Sequence, residues 1–397
     1  MRTMAMRPGR PIAIALACFG VIALGVAAFA AGDGSLRRVG IVGIGVAIGA
    51  VLFSTRFGFA SAFRRAAEGD FSVYRAHALM FAIASALMVP VIAAGSIFGQ
   101  EVYGFATPIG IALVIGGALF GIGMQLSGGC ASGTLFMLGG GDMKFAATLL
   151  FFIVGSTIGA AHIAFWRALP AFEPVVLSDA DKWPTLLTQE ICLLLIAALA
   201  LPRARPVPRA LWLGAVGLAL LNTATLVVAG RPWSETYGFA LWGSKIAAHL
   251  GFTPETWAFW RGGDGLRASI FADITSLMDF SILLGAFAAA VIVGRFRPTL
   301  GGDARAWAAA ALGGLMMGYG ARLADGCNIG AYFSAIASGS MSGWIWALAA
   351  LAGSRVGIHL RRWATAPWVM PDMPSGDPPA SVTAVAHEMA IAEDVRR

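Results

Sequence analysis

A series of apolar runs restricts the fold of this chain more than any other feature. Each run is about 20 residues long, which is the length of an α-helix that crosses a bilayer. Lipid offers no partner for free backbone N–H and C=O groups, so such a run must be helical. Hydrophobic residues fill 58% of the 397 positions and charged residues only 12%, about half of the charged share of a soluble domain. The sequence therefore predicts an all-α polytopic membrane protein.

We predict about ten transmembrane helices. The first needs separate treatment, because residues 1–37 begin with a basic segment and an apolar stretch that ends in small residues, as a secretory signal does. The run is as long as a full span, which favours a retained, signal-anchor-like helix, while cleavage within residues 1–31 stays open. The predicted spans are 11–31, 38–54, 75–98, 108–126, 144–166, 185–201, 209–229, 276–295, 305–324 and 342–360.

The distribution of basic residues predicts the orientation. With the N-terminus in the cytoplasm, most arginines between spans fall in cytoplasmic loops, as the positive-inside rule requires. The external segment 99–107 has no Lys or Arg and 167–184 is acidic on balance, whereas the Trp-rich segment 230–275 is mixed and should hold a short helix around 238–250. Both termini are thus expected in the cytoplasm, and the expected location is a bacterial inner membrane. The formal charge of +7 is explained as anchoring charge, so no nucleic-acid partner is expected.

Two stretches of the chain are copies of one motif. GALFGIGMQLSGGCASG (117–133) and GLMMGYGARLADGCNIG (314–330) share seven residues without a gap, including a Gly-Cys pair. Five predicted spans, an odd number, separate the copies, so they should lie in opposite orientations. This predicts two inverted repeats, an architecture in which transporters place the substrate site at the repeat interface near mid-membrane. A weaker similarity relates TRFGFASAF (55–63) to ETYGFALWG (235–243).

The duplication also predicts the division of the chain. After the N-terminal helix of residues 1–37, a first membrane repeat occupies 38–201 and a second occupies 209–362. Residues 202–208 would form a cytoplasmic linker between them. Residues 363–397 form a polar C-terminal tail, rich in Pro at its start, which we expect to be disordered.

Each copy of the motif predicts a span, a glycine-rich break and a re-entrant half-helix, and the two half-helices should meet near the bilayer centre. Irregular backbone at that depth is stable only inside protein or against a wet cavity. The N-terminus of a half-helix offers free N–H groups and a positive dipole end to an anion. Cys130 and Cys327 stand at these starts, where neutral thiols would be weak donors to a soft sulfur atom; the alternative is that they are small packing residues. Cys18 and Cys192 lie in ordinary apolar runs and are expected to pack.

Polar residues beside the breaks complete the predicted substrate path. Arg322 and Asp325, three residues apart, either neutralise each other as an ion pair or leave Arg322 to attract the anion. Glu190 and Asp279 are intramembrane candidates to carry a coupling proton, and the alternative is that they lie at solvated helix ends. The sequence has no CxxC pair and no His/Cys cluster, so neither a metal site nor a cofactor is predicted. The predicted path consists of Cys130, Cys327, Gly129, Gly326, Ser127, Asp325, Arg322, Gln125 and Asn328.

These motifs resemble those of the YeeE/YedE family of sulfur transport proteins. The resemblance rests on LSGGCASG (126–133) and LADGCNIG (323–330). It is supported by STRFGFASAFRR (54–65) and AGRPWSETYGFALWG (229–243), and it covers most of residues 38–360.

The resemblance implies an hourglass of inverted repeats that passes thiosulfate through a central constriction. Cysteines there would contact the substrate in relay, and two of them would be Cys130 and Cys327. The chain departs from the family at Ala60, where members often carry a further cysteine after the Gly-Phe of the first segment. Besides the anion and the lipid bilayer, a cytoplasmic sulfur-carrier protein is a candidate partner.

Three functions are compatible with these residues. The leading one is a transporter or channel, not an enzyme, that passes thiosulfate or a related small sulfur-containing anion through a cysteine-lined constriction. The alternative is a membrane thiol oxidoreductase or sulfurtransferase component that uses Cys130 and Cys327, against which stands the lack of a CxxC or nucleotide motif. A non-transporting assembly subunit is the third, and it predicts no polar route through the breaks.

Overall fold

The computed structural model describes four stretches of the chain, residues 10–32, 34–176, 182–199 and 206–364. Nearly all of the regular structure in these stretches is helical. The predicted disordered tail falls almost wholly outside the described residues, and so does most of the predicted linker. The helices are α1 Arg10–Ala30, α2 Leu36–Thr55, α3 Phe59–Ala67, α4 Tyr74–Ala93, α5 Ile111–Ser127, α6 Ala131–Gly139, α7 Lys144–Arg167, α8 Lys182–Leu199, α9 Arg209–Ala229, α10 Thr236–His249, α11 Ile274–Ile292, α12 Ala304–Leu323, α13 Ala335–Ala337 and α14 Met341–Ala364.

Short irregular elements join the helices. Two antiparallel two-stranded sheets pair β1 (Ser96–Ile97) with β2 (Gln100–Glu101) and β3 (Ile109–Gly110) with β4 (Ala171–Phe172). A 3₁₀ turn lies at Pro254–Thr256. A π-helical segment, Asn328–Ser334, leads directly into α13.

A helix is present at each of the ten predicted spans, and α10 lies where a short helix was expected in the external segment. Among the described residues, seven helical segments are long and apolar enough to cross a membrane. The other three predicted spans are α8, whose apolar part is only Leu186–Ala198, and the Gly-, Ala- and Arg-containing helices α12 and α14. The polytopic helical class is confirmed, while the exact number of spans stays a prediction. The seven segments are Pro11–Ala30, Leu36–Thr55, Tyr74–Ala93, Ile111–Gly139, Lys144–Arg167, Arg209–Ala229 and Ile274–Ile292.

The crossing of α5 and α12 brings the two copies of the motif together. Gly116 lies against Gly320, and Gly123 lies against Gly313. A Cβ atom on Gly123 would stand 2.5 Å from the carbonyl oxygen of Gly313, and one on Gly313 would stand 2.6 Å from that of Gly123. Only glycine permits so close an approach of two helix backbones. Since the contacts ascend along α5 as they descend along α12, the two helices run antiparallel.

The helices that follow each motif pack on the other half of the chain. Helix α7 packs along α12, and α14 packs along α5. The hydroxyl of Ser156 donates a hydrogen bond to the carbonyl oxygen of Gly318 (3.3 Å) at the first of these contacts. In the same way α3 contacts α14 and α10 contacts α7. The two halves are therefore interleaved around one core, which contains both Cys130 and Cys327.

Candidate functional site

The first break follows the end of α5. Gly128 takes a left-handed conformation (φ 84°) that ends the helix, and the next helix, α6, starts after Cys130. The guanidinium of Arg361 donates a hydrogen bond to the carbonyl oxygen of Gln125 (2.9 Å). A cation at this point satisfies one of the free carbonyl groups of the helix end. The hydroxyl of Ser127 bonds the carbonyl oxygens of Gly123 and Gly129, both at 3.0 Å, and so joins the two sides of the break.

The second break has the same design with different residues. After α12 ends at Leu323, Asp325 takes the left-handed conformation (φ 52°), and Cys327 precedes the π-helical segment Asn328–Ser334. The predicted order of a span, a break and a short helix is therefore present in both copies. The short helix that begins after Cys130 contacts the segment that begins after Cys327.

Both cysteines cap the helices that they precede. The Sγ atom of Cys130 accepts a hydrogen bond from the backbone N–H of Gly133 (3.4 Å), and that of Cys327 accepts one from Ile329 (3.4 Å). Side chains at this position normally satisfy the free N–H groups of the first turn. The two side chains are almost fully buried in one core, with 1% and 0% exposure.

A buried carboxyl group that sequence reasoning missed completes this cluster. Glu235, immediately before α10, is fully buried, and its Oε2 accepts a hydrogen bond from the thiol of Cys327 (3.7 Å). Its Oε1 has no hydrogen-bond partner. Cys130 lies in the same buried core as Cys327, and the helix after Cys130 contacts the segment after Cys327. We refer to Cys130, Cys327 and Glu235 as the thiol–carboxyl cluster.

The two Gly-Phe-Ala segments each adjoin one cysteine. The backbone amide of Ala60 lies close to the thiol of Cys130 and interacts with it. The side-chain amide of Gln125 holds this segment by donating to the carbonyl oxygen of Ala60 (3.1 Å). In the second half, the residues before Gly238 place Glu235 against Cys327. The sequence similarity between residues 55–63 and 235–243 was the signal that could have identified Glu235.

The remaining predicted path residues lie around the breaks. Gln125 also donates to Ser354 (3.3 Å), so its amide links three elements. Asn328 donates to the Sδ atom of Met124 on α5 (3.8 Å), and its buried Oδ1 has no partner. A Cβ atom on Gly129 would stand 2.7 Å from the ring of Phe145, and one on Gly326 would stand 2.6 Å from the backbone nitrogen of Ala331. These two glycines are needed for packing.

The predicted ion pair between Arg322 and Asp325 is not formed. Asp325 pairs instead with Arg167 at the end of α7 (4.0 Å). The buried guanidinium of Arg322 donates to the hydroxyl of Thr236 (2.6 Å) and lies over the ring of Phe259. The reason is geometric: Asp325 has left the helix by its left-handed turn, so it no longer shares a helix face with Arg322.

Other predicted polar residues lie apart from the cluster or at its edge. Glu190 accepts a hydrogen bond from Ser85 (2.7 Å). Asp279 on α11 is fully buried beside Gly238, and neither of its oxygens has a hydrogen-bond partner. Cys18 and Cys192 are exposed on the surface of the described bundle, so the expectation that they pack inside was wrong.

Comparison with known proteins identifies the chain's relatives. The sequence model of a family described as "Sulphur transport" matches residues 54–356, which is well over half of the chain. The thiosulfate transporter TsuA of Spirochaeta thermophila is 28% identical over 255 residues, which cover 58% of this chain and 72% of TsuA. The TsuA of Escherichia coli is 26% identical over a similar share of both chains.

A second group of relatives matches over a shorter stretch. Proteins named "Probable transporter YedE" from Salmonella typhimurium and Escherichia coli are each 30% identical over 142 residues. These matches cover 36% of this chain and 35% of each relative, so the chain spans about a third of the length of these proteins in the alignment. From the extent of the family match and the motifs within it, we conclude that this chain belongs to the sulphur transport family.

Proposed function

We propose that this chain carries thiosulfate, or a related small sulfur-containing anion, across the bacterial inner membrane through a neck at the thiol–carboxyl cluster. One observation carries the proposal: Cys130 and Cys327 lie in one buried core at the starts of two short helices that contact each other, and the thiol of Cys327 donates to Glu235 (3.7 Å). Two relatives that align with more than half of this chain are named thiosulfate transporters, and this supports thiosulfate as the substrate.

The two halves of the chain act as inverted repeats in this proposal, 38–201 and 209–362, joined by residues 202–208. The antiparallel crossing of α5 and α12 supports the inversion, since these helices carry equivalent motifs. The exchange of following helices between the halves supports it as well, because α7 packs on α12 as α14 packs on α5. Transporters with such repeats bind their substrate where the repeats meet.

The chemistry of the neck suits an anion that ends in sulfur. Backbone N–H groups at the starts of α6 and Asn328–Ser334 lie at the two thiols, where the positive ends of the helix dipoles favour negative charge. The thiols are weak donors and soft, polarisable contacts for a sulfur atom. A small anion is thus stabilised without any fixed metal or cofactor.

The proposed neck must open to let substrate pass. Cys130 and Cys327 have almost no solvent exposure. With both termini in the cytoplasm, the break at Cys130 would lie toward the cytoplasm, near Arg361, and the break at Cys327 would lie toward the outside, near Arg167. We therefore propose a transporter that opens to one side at a time. A cytoplasmic sulfur-carrier protein would receive the anion at the Arg361 side.

Uptake of labelled thiosulfate by cells that express the protein tests this function. We expect Cys130→Ala and Cys327→Ala to reduce uptake to the level of cells without the protein. Cys18→Ala and Cys192→Ala are matched controls, because these thiols are exposed and lie apart from the cluster. Undiminished uptake in both buried-cysteine variants, at equal amounts of protein in the membrane, would disprove a role of the thiols.

A second candidate function is supported by the contact between Glu235 and Cys327. A carboxylate within 3.7 Å of a thiol can take its proton and generate a nucleophilic thiolate. The chain would then serve as a membrane thiol oxidoreductase or sulfurtransferase component. Mass spectrometry of protein incubated with thiosulfate distinguishes the two functions: a persulfide on Cys327 or Cys130 supports the enzyme, and unmodified thiols together with uptake support the transporter.

A further inference from the structure

Two carboxyl groups are buried near the centre of the protein without a cationic partner. Both oxygens of Asp279 and the Oε1 atom of Glu235 have no hydrogen-bond partner, although both residues have 0% exposure. Neither residue takes part in an ion pair of the described chain. An ionised carboxylate in such surroundings is very unfavourable unless it is paired or takes up a proton.

The groups that face Glu235 supply no compensating charge. The Cys327 thiol bonds its Oε2, Cys130 interacts with it from α6, and Asp279 interacts with it from α11. On α12, the guanidinium of Arg322 is directed to the hydroxyl of Thr236 and stacks on an aromatic ring.

The other neighbours of α10 present uncharged groups or lie away from the cluster. Helix α7 presents Ile153 and the hydroxyl of Thr157 to Gly243. Glu255, in the 3₁₀ turn that also contacts α10, is exposed. An ionised Glu235 would therefore carry a buried negative charge with no cation from the described stretches bonded to it.

An anion bound in the neck would add a further negative charge near Glu235. If Glu235 were ionised, a thiosulfate ion beside Cys327 would meet a second negative charge in a region that water does not screen. A proton on Glu235 removes this repulsion and turns its free Oε1 side into a hydrogen-bond donor or acceptor for the anion. Neither oxygen of Asp279 bonds a thiol, whereas Glu235 accepts a hydrogen bond from Cys327, so Glu235 is the carboxyl group that the substrate would meet.

From this geometry we infer that thiosulfate and a proton bind together at the thiol–carboxyl cluster and cross together, with Glu235 as the residue that holds the proton. This inference rests on the proposed transport function and adds its energy coupling. The proton comes from the side on which the anion enters, resides on the Glu235 carboxyl group while the anion is bound, and leaves to the side on which the anion is released. No covalent bond to the substrate forms or breaks.

Proton binding and thiosulfate binding are linked in this inference, so each must change the affinity for the other. If anion binding favours protonation of Glu235, then a lower pH must favour anion binding by the same factor. For one linked proton, the apparent affinity for thiosulfate falls by up to about tenfold for each unit of rising pH over the range in which the free site releases its proton. Replacement of Glu235 by Gln removes the titrating group and should remove this dependence.

The test uses the full chain, purified and reconstituted in vesicles that contain a pH-sensitive dye. A gradient of thiosulfate should drive uptake and acidify the vesicle interior with the wild-type protein. With Glu235→Gln, thiosulfate that enters the vesicles should do so without acidification, and the KM for thiosulfate should no longer depend on pH. Asp279→Asn is the matched control, since it removes the other buried carboxyl group, and it should retain acidification.

Each outcome decides between the proposals. Uptake without acidification by the wild-type protein, or unchanged acidification with Glu235→Gln, overturns the inference and leaves the transport function intact. No uptake by the wild-type protein overturns the transport function, and the inference with it. If Glu235→Gln does not transport, a pH indicator in weakly buffered detergent solution decides: addition of thiosulfate to the wild-type protein and to Asp279→Asn must remove protons from solution, and no change overturns the inference.

Discussion

The thiol of Cys130 bonds uncharged groups, and the cation at this break, Arg361, bonds the carbonyl oxygen of Gln125, whereas charged side chains lie beside Cys327 itself. Around Cys130 lie the backbone of Ala60 and the hydroxyl of Ser132. Around Cys327 lie the carboxyl group of Glu235 and, one turn before the break, the buried Arg322. Substitutions at equivalent positions of the duplicated segments create this contrast: Gln125 and Arg322, Ser127 and Ala324, Gly128 and Asp325, Thr55 and Glu235.

The backbones of the two breaks also differ. Helix α6 is a regular α-helix, whereas the segment after Cys327 is π-helical, a form that is rare and often found at functional sites. The left-handed position is a glycine in the first break and an aspartate in the second. A duplicated motif thus preserves the kink and the capping thiol, while charge and strain are concentrated in one copy. We interpret the first break as a neutral contact for the anion and the second as the place where the proton is held.

Both breaks follow helices that cross each other, α5 and α12. A substitution at this crossing should have the largest effect. Gly123→Val should prevent stable folding, with a loss of more than about 3 kcal/mol, because a side chain there collides with the backbone of Gly313. The yield of monodisperse protein in detergent measures this. Gly43→Val on α2 is the control, since nothing lies within 4 Å of a Cβ atom at that position. Equal yields for the two variants would show that the crossing is not essential.

The proximity of Ala60 to Cys130 predicts a cross-link. In a background with Cys18 and Cys192 replaced by Ser, Ala60→Cys should form a disulfide with Cys130 under mild oxidation, because the Ala60 amide already contacts the thiol. Intact-protein mass spectrometry after thiol labelling reports the loss of two reactive groups. The same chain with Cys130→Ala should keep its new thiol free. Failure to cross-link would show that Ala60 does not lie against Cys130.

A smaller effect is expected at the two left-handed positions. Gly128→Ala should lower the free energy of unfolding by roughly 1–2 kcal/mol, because a residue with a Cβ atom is strained in this conformation. Asp325→Gly should change stability in the opposite direction, by about 1 kcal/mol or less, since it relieves the same strain but loses a weak ion pair. Thermal unfolding in detergent measures both. Destabilisation by Asp325→Gly would show that the aspartate contributes more than its strain costs.

The smallest effect is expected at the ion pair of the second break. Arg167→Gln should change the free energy of unfolding by less than about 1 kcal/mol, because the pair is long (4.0 Å) and its side chains are 53% and 36% exposed. Removal of this external cation should affect the rate of anion entry more than stability, and the effect should fade at high salt. Uptake rates at low and high ionic strength measure it. A salt-independent change would place Arg167 outside the entry route.

Much of the fold could be predicted because local sequence determines it. Apolar runs of about 20 residues must be helical in lipid, and a helix is found at each predicted span. The Gly-Cys motifs predicted two breaks followed by short helices, since the segments around the two cysteines are too rich in glycine to continue a helix. The orientation and the inverted symmetry are predictions that rest on the pattern of charge and on the repeat.

The sequence by itself determined that this chain lies in a membrane, where its helices break, and which two cysteines begin the short helices. Only the tertiary structure decided what surrounds those cysteines. Glu235 lies 92 residues before Cys327, and Arg322 finds its partner Thr236 at a separation of 86 residues. A glutamate in a polar loop sequence looks solvated, because burial depends on how distant helices pack and local composition does not record it. Asp325 pairs with Arg167 and not with Arg322 for a related reason. Helix periodicity predicts which residues are neighbours only as far as the helix continues, and the left-handed conformation of Asp325 ends it.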